Sequence, residues 1–360
     1  MNKAKTNENK RQLLMCGNEA IAEAAIRAGM FCYFGYPITP QNEVTAYLSR
    51  RMVEEKRVFL QCESEIAAIN MIFGASVVGK RTMTSSSSPG ISLMQEGISY
   101  MVGCELPGVI VNIMRGGPGL GNIAPSQSDY FQATKGGGHG DYNIIVLAPS
   151  SVQEAINITQ IAFDLSDEFR NPVMILGDGI LGQMMEPVSF DGIKQQGFSK
   201  DWALTGAMRR PPQSIQSLYL KEGVLEEHNI LLQKKFQRIA ETQVRYESFV
   251  DEKDGLIIVA YGTVARLCLG VLERCRKEHM NVGFIRPITL WPFPSQVIET
   301  FANKGNPFFV VEMSYGQMVE DVRLANNGKS DVHFYGRAGG ALFTVEEVFQ
   351  EVKKVYKKYI

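Results

Sequence analysis

From Gly17 the stretch GNEAIAEAAIRAG places Ala and Ile at helical spacing and stops at Gly29, after which FCYFGYPITP turns to a strand-like run closed by Pro37 and Pro40. VFLQC, from Val58 to Cys62, predicts a strand. Glu63, Ser64 and Glu65 then lead into the apolar-periodic EIAAINMIFGASVVG, with two acids where a helix N-terminus offers positive potential. The alternation continues with RTMTSSS as a strand, PGISLMQEGISYMVG as a helix and GVIVNIM as a strand. A long glycine-rich connection runs from Arg115 to Gly140, followed by strand NIIVLAP, a helix opened by a capping box at Ser151 and Glu154, and strand PVMILGD. Apolar strands separated by helices of this length predict a parallel sheet covered on both faces.

From about Met184 to Asp254 the pattern loosens into MEPVSFDGIKQQGF and RRPPQS, and a charged helix is predicted from Val224 to Phe249. A second α/β unit begins with GLIIVAYGT and a helix from Val264 to His279. It continues with strands NVGFIRPITLWPFP, PFFVVEMS and DVHFYGR and ends in the helix TVEEVFQEVKKVYKKY. The chain thus divides into two doubly wound domains, residues 1–190 and 254–360, joined by a helix-containing connection, 191–253. No repeat of fixed short period interrupts this plan.

Composition narrows the function classes. At 360 residues and 45% apolar content the chain can build two or three ordinary cores. Its 37 Lys and Arg balance 38 Asp and Glu, and no basic stripe interleaved with aromatics predicts a nucleic-acid surface. The opening Met1 to Arg11 is polar, and the apolar stretch after it is broken by Asn18, Glu19 and Glu23, so no signal peptide is predicted. Nor does any run approach the roughly 18 or more apolar residues that span a bilayer. The expectation is a soluble cytoplasmic protein, bound to neither membrane nor nucleic acid. Cys16, Cys32, Cys62, Cys104, Cys268 and Cys275 form no CxxC pair, so they suit buried reduced thiols better than a zinc ion or a [4Fe–4S] cluster. No metal site is expected on this chain.

Three segments carry chemistry: the YPITP turn, the SEIAA helix start and the glycine-rich loop from Arg115. All follow predicted strands, and in an open parallel sheet ligands bind beyond the carboxyl ends of strands, so the three could line one cleft. Phase selects Glu65 over Glu63 as the inward acid, grouping it with Ile66, Ile69 and Phe73; both acids would also serve the helix dipole alone. Gly116, Gly117, Gly119 and Gly121 let backbone approach a ligand closely, but the polar APSQSDY that follows is no helix start, which excludes a dinucleotide fingerprint. Ser85 to Ser88, before Pro89-Gly90, either cap a helix or offer hydroxyls to a ligand. His139 is read as a loop histidine tied to Asp141, with a general acid or a substrate contact as the alternatives.

Across GNEAIAEAAIRAG, FGYPITP, CESEIAAINMIFGAS, TSSSSPGISLMQE, ELPGVIVNIMRGGPGLG and GHGDY, and on into IRPITLWPFP and VVEMSYGQM, the chain resembles the α subunits of 2-oxoacid:ferredoxin oxidoreductases, most of all the 2-oxoisovalerate type. The resemblance implies a pyrimidine-binding thiamine-enzyme domain followed by a transketolase carboxyl-terminal-like domain. It makes Glu65 the catalytic glutamate that hydrogen-bonds the aminopyrimidine of thiamine diphosphate, favouring the tautomer that acts as base at the thiazolium. It implies further cofactor contacts from Tyr36, Pro37, Ile38, Ser87 and Ser88. Thr39 and Arg115 become substrate contacts, the guanidinium fork suiting a carboxylate. A proline turn, or an arginine that supports its own loop, would use those two residues as well.

Thiamine enzymes bind diphosphate and Mg²⁺ through GDG followed by paired asparagines. Gly177-Asp178-Gly179 is present here, but the corresponding stretch, SKDWALTGAMRR, has no such pair, so GDG is read as a strand-end turn. The resemblance therefore implies a cofactor shared with a β subunit that carries the diphosphate, Mg²⁺ and an iron–sulfur cluster, with γ and ferredoxin-like δ subunits completing a heterotetramer. The implied reaction is oxidative decarboxylation of a branched-chain 2-oxoacid with coenzyme A and ferredoxin. A 2-oxoglutarate enzyme, a non-oxidative decarboxylase half-subunit and a non-catalytic scaffold subunit are the alternatives.

Overall fold

The computed structural model describes residues 12–359, so the polar Met1–Arg11 segment, on which part of the signal-peptide reading rests, lies outside the described residues. The first unit runs β1 (Leu13–Cys16), α1 (Gly17–Arg27), β2 (Cys32–Gly35), α2 (Asn42–Glu54), β3 (Val58–Gln61), α3 (Glu65–Val77), β4 (Thr82–Ser86), α4 (Ser88–Gly103) and β5 (Gly108–Met114). It continues with α5 (Tyr130–Thr134), β6 (Ile145–Leu147), α6 (Val152–Phe169), β7 (Pro172–Asp178), α7 (Gly179–Gln183) and β8 (Met185–Val188). After an irregular stretch come α8 (Val224–Thr242) and β9 (Tyr246–Phe249). The second unit follows with β10 (Leu256–Val259), α9 (Gly262–Lys277), β11 (Val282–Pro287), β12 (Thr289–Trp291), α10 (Ser295–Ala302), β13 (Phe308–Glu312), α11 (Met318–Asn326), β14 (Val332–Gly336) and α12 (Val345–Tyr356).

Two sheets carry the architecture. The first, of seven strands in the order β12-β6-β7-β5-β4-β2-β3, is parallel except at β12; the second, of five strands in the order β14-β13-β10-β11-β9, is parallel except at β9. The central strands β5 and β7 are buried along their whole length, because helices cover both faces. Two predicted elements divide differently. The run NVGFIRPITLWPFP is split at Pro287, which has no N–H to extend a ladder: β11 stays in the second sheet and β12 crosses to pair with β6 of the first. The predicted helix from Val224 to Phe249 ends at Thr242, and Tyr246–Phe249 forms the edge strand β9 instead. The small β1–β8 pair and α2 were not foreseen, although Val44, Leu48 and Met52 of α2 are buried at four-residue spacing.

Buried polar groups tie the two units together. Gln127 donates from Nε2 to the Tyr261 carbonyl (3.0 Å) and accepts at Oε1 from the Met313 N–H (2.9 Å); its own N–H donates to the Met313 carbonyl (2.9 Å). Arg286 of β11, 3% exposed, donates to both carboxylate oxygens of Glu154 at 2.7 Å and to Glu247 at 2.9 Å. Ser151 caps α6 by accepting from the Glu154 N–H at 3.2 Å, as the capping box predicts. The Glu154 carboxylate, however, returns to the N–H of Ser150 rather than of Ser151. Among the described residues no helix is long and apolar enough to cross a membrane.

Candidate functional site

The site lies where the connections diverge. In the first sheet β5, β4, β2 and β3 are consecutive neighbours; the chain leaves β2 toward β3 and leaves β4 toward β5, in opposite directions. Divergence opens a crevice beyond the carboxyl ends of the central strands. The YPITP turn follows β2, the SEIAA segment follows β3, the serine run ends β4 and Arg115 follows β5, so the expected segments meet at one edge.

Ser64 starts α3 by accepting from the Ala67 N–H at 3.2 Å, which sets the phase of the helix. Glu65, 5% exposed, joins Ala68, Ile69, Ile72 and Ser76 on the buried face, whereas Glu63 is exposed. The predicted companions were partly wrong: Ile66 is 50% exposed and Phe73 only half-buried, because residues one and eight positions on from Glu65 fall off its 3.6-residue stripe. Glu65 Oε1 accepts from Ser86 Oγ at 3.3 Å. Gly90 of α4 faces both groups: a Cβ there would sit 2.0 Å from Ser86 Oγ and 2.3 Å from Glu65 Oε1. Only glycine leaves room for this carboxyl.

The four serines point four ways. Ser85 Oγ donates to Gln41 Oε1 at 2.6 Å and lies 2.7 Å from Tyr33 Oη; Gln41 Nε2 in turn holds the Tyr36 carbonyl at 3.2 Å. Ser86 serves Glu65. Ser87 Oγ is buried with no partner among the described residues. Ser88 Oγ donates to Asp129 at 2.6 Å and accepts from the Arg115 N–H at 3.1 Å. Helix capping explains none of these side chains, since Ser87 stands at the N-cap of α4 yet makes no capping bond.

Pro40, at the end of the turn, has its carbonyl held by Asn18 Nδ2 at 2.8 Å and Gln183 Nε2 at 3.2 Å. Within the turn, Tyr36 and Pro37 are exposed, Ile38 and Thr39 half-buried, and Thr39 Oγ1 accepts from Asn42 Nδ2 at 3.2 Å. Arg115, 6% exposed, donates from Nη1 to the Thr39 carbonyl (3.0 Å) and from Nη2 to the Leu120 carbonyl (3.1 Å). The same guanidinium therefore supports its loop and touches the YPITP turn, and its buried Nε has no partner among the described residues. Gly121, at φ +59 with a Cβ position 1.8 Å from the Gly116 carbonyl, is needed to fold that loop back. Gln41, Asn18, Asn112 and Asp129 support the site but were not singled out from the sequence; of the four, only Asn112, a lone polar residue in the apolar run GVIVNIM, left a local signal.

Other expectations resolve elsewhere. His139 is exposed and meets the Tyr100 ring edge-on (5.8 Å between centroids), with no hydrogen bond to Asp141 among the described residues. Tyr100 is twelve residues along α4 from Ser88, roughly 18 Å of helix, so the glycines before His139 carry it away from the crevice. Asp178 of GDG is buried, caps α7 through the N–H groups of Ile180 (2.8 Å) and Leu181 (3.2 Å), and accepts from Thr263 of the second unit. Burial pushes its carboxyl up, and those bonds offset part of the rise. Five of the six cysteines are buried, and desolvation raises the Cys275 thiol to about 12.

An ionisable carboxyl with one long protein donor and a glycine floor fit one edge of a planar heterocycle that both donates and accepts. Residues 23–245 match the family model "Pyruvate flavodoxin/ferredoxin oxidoreductase, thiamine diP-bdg", and residues 255–348 match "Pyruvate:ferredoxin oxidoreductase core domain II". The chain is 48% identical over 340 residues to ketoisovalerate oxidoreductase subunit VorB of Methanothermobacter thermautotrophicus, covering 94% of this chain and 96% of the relative. It is 34% identical over 367 residues to 2-oxoglutarate synthase subunit KorA of the same organism, covering 94% and 97%. The solved 2-oxoglutarate:ferredoxin oxidoreductase from Magnetococcus marinus, with 2-oxoglutarate, coenzyme A and succinyl-CoA bound, superposes with a TM-score of 0.85 at 27% identity, covering 99% of this chain and 68% of that one. A split-gene transketolase shares the fold, with a TM-score of 0.59 at 14% identity over 96% of this chain and 99% of its own.

Proposed function

This chain belongs to the 2-oxoacid:ferredoxin oxidoreductase family, and on that premise we propose that it is the subunit whose Glu65 engages the aminopyrimidine of thiamine diphosphate during oxidative decarboxylation of a branched-chain 2-oxoacid. The observation that carries the reading is Glu65 itself: a buried carboxyl at the switch point of a parallel sheet, with Gly90 keeping the space in front of it open. Bound thiamine diphosphate supplies a nucleophilic carbon for the 2-oxo group and holds the electron pair left when carbon dioxide departs. Glu65 exchanges a proton with the ring edge it bonds, and the orphan Ser87 hydroxyl gains a partner there. Tyr36, Pro37, Ile38 and Ser88 wall the ring; Thr39 Oγ1 and the Arg115 guanidinium take the substrate's oxo and carboxylate end.

Coenzyme A then receives the acyl group and ferredoxin the electrons. The substrate choice rests on 48% identity to a ketoisovalerate subunit against 34% to a 2-oxoglutarate subunit. The diphosphate, Mg²⁺ and [4Fe–4S] groups are assigned to a β subunit, with γ and ferredoxin-like δ subunits completing a cytoplasmic heterotetramer. Two observations support a shared site. Both relatives are named as subunits. And α3 leaves Ile66, Asn70 and Gly74 exposed in a row next to Glu65, so a helix face with no long charged side chain adjoins the crevice.

Reconstitution with the neighbouring subunits tests the reading. The assembled complex should reduce a low-potential dye with 2-oxoisovalerate and coenzyme A, and the isolated chain should not. A higher kcat/KM for 2-oxoglutarate than for 2-oxoisovalerate overturns the substrate assignment, and tight thiamine diphosphate binding by the isolated chain overturns the shared site.

A further inference from the structure

The glycine-rich connection returns to the sheet at Asp129, a residue with no part in the chemistry described so far. Its Oδ2 accepts from Ser88 Oγ at 2.6 Å and from Asn112 Nδ2 at 3.0 Å. Ser88 has one proton, and the short bond commits it to Asp129, which leaves the hydroxyl oxygen as acceptor for the Arg115 N–H at 3.1 Å. The alternative, in which the hydroxyl donates to the Arg115 carbonyl at 3.3 Å, requires giving up Asp129.

This polar set is expensive to bury. Asn112 lies in the middle of β5 between Val111 and Ile113, all three without solvent exposure, and its Oδ1 has no partner among the described residues. Asp129 precedes α5 but makes no side-chain capping bond to it. Desolvation pushes its carboxyl up, and the Ser88 and Asn112 bonds only partly offset that. A leucine at 112 and an alanine at 129 would cost the sheet less, so the network has a task beyond holding the fold.

The task follows from what Ser88 grips. Arg115 has its main chain fixed by Ser88 on one side and by the bridge to Pro125 on the other, while its side chain spans the Thr39 and Leu120 carbonyls. With the main chain set and both Nη groups bound, the buried Nε has one direction to point. We propose that Asp129 is a positioning residue for recognition of the substrate carboxylate: acting through Ser88, it sets the Arg115 main chain and with it the guanidinium. The proposal rests on the reading of Arg115 as the carboxylate contact.

The test uses the reconstituted complex with Asp129→Ala, Asp129→Asn, Ser88→Ala, Arg115→Ala and the Arg115→Ala/Asp129→Ala double variant. Asp129→Ala and Ser88→Ala should raise the KM for the 2-oxoacid about fivefold to tenfold, the scale of one lost hydrogen bond, and leave the KM for coenzyme A unchanged; the melting midpoint should fall in both, because each change leaves a buried polar partner unpaired. Asp129→Asn should recover to within about twofold, because its amide oxygen still accepts from Ser88 and Asn112 can turn its orphan Oδ1 toward the new NH₂. The double variant should be no worse than Arg115→Ala, since both changes act on one contact. A 2-oxoacid KM that stays put in Asp129→Ala but rises in Arg115→Ala overturns the positioning role alone. Rises of similar size in both KM values reduce Asp129 to a structural part and overturn it as well. An unchanged 2-oxoacid KM in Arg115→Ala removes the carboxylate reading of Arg115, and the proposal falls with it.

Discussion

Replacing Glu65 by Gln keeps the shape of the side chain and removes its ability to carry and exchange a proton. The structural cost is small: the amide oxygen still accepts from Ser86 Oγ, whose bond is already long at 3.3 Å, so less than about 1 kcal/mol of stability is at stake. Against the roughly 5–15 kcal/mol that holds a protein folded, that loss leaves essentially every molecule native. The catalytic cost is larger. Removing one positioned acid–base group typically lowers rate by about 10²- to 10⁴-fold, roughly 3–5 kcal/mol of barrier. The two effects are thus separable by magnitude in one preparation. The assay is 2-oxoacid-dependent dye reduction by the assembled complex at saturating thiamine diphosphate, run beside exchange of the thiazolium C2 proton with deuterated solvent; both should fall together. Glu63→Gln, on the exposed neighbour, should stay within about twofold of the parent because surface carboxylates of this kind contribute little. A folded Glu65→Gln complex with full dye reduction refutes the assignment, and one with slow turnover but normal proton exchange refutes the proposed task of the carboxyl.

Three further outcomes follow from the same geometry. Gly90→Ala should gain up to about 1 kcal/mol of helix propensity yet lose more, about 1–3 kcal/mol, to the collision of its Cβ with Ser86 Oγ and Glu65 Oε1, so calorimetry should show net destabilisation and dye reduction should drop at least tenfold. Thr263→Val removes the donor to Asp178 across the seam and leaves a buried carboxylate oxygen short of a partner; a loss of about 1–3 kcal/mol is expected in denaturant titrations, with the thiamine site unaffected. Glu154 illustrates a pH effect: burial alone would raise its carboxyl, but the Arg286 bonds and charge and the Ser150 bonds outweigh burial and hold it below its ordinary value of 4.5. A depressed pKa stabilises the fold above the unfolded value and is lost as pH falls through the folded one. Glu154→Gln should therefore cost about 2–4 kcal/mol near pH 7, with the gap to the parent closing below about pH 4.5 in urea melts.

What could be read in the chain was whatever repeats at a short period. The apolar runs GVIVNIM and PVMILGD became the central strands, because burial on both faces of a parallel sheet writes itself into every residue of a strand, and α6 between them emerged at its predicted place, whereas the short α5 lies inside what reads as a glycine-rich connection. The acids at the start of EIAAIN, the YPITP turn and Arg115 were also legible, since two prolines in a turn and charges at the ends of apolar strands stand out against their surroundings. Other features depend on which strands lie side by side. Pairing β4 with β2 and β5 places Ser86 against Glu65 and Ser88 against Arg115; strand order is set by packing across some tens of residues and leaves no local trace. The same holds for Pro287, whose effect of passing β12 to the other sheet needs the edge of β6 as a partner, and for Asp129, an unremarkable loop acid until Asn112 and Ser88 close around it. Sequence by itself determined which segments are strands, which residues could do acid–base chemistry and that the candidates follow strand ends. Tertiary structure alone decided which of them share a crevice, because hydrogen bonds and close contacts fall off within a few ångströms and only the folded sheet brings residues so far apart in the chain that near.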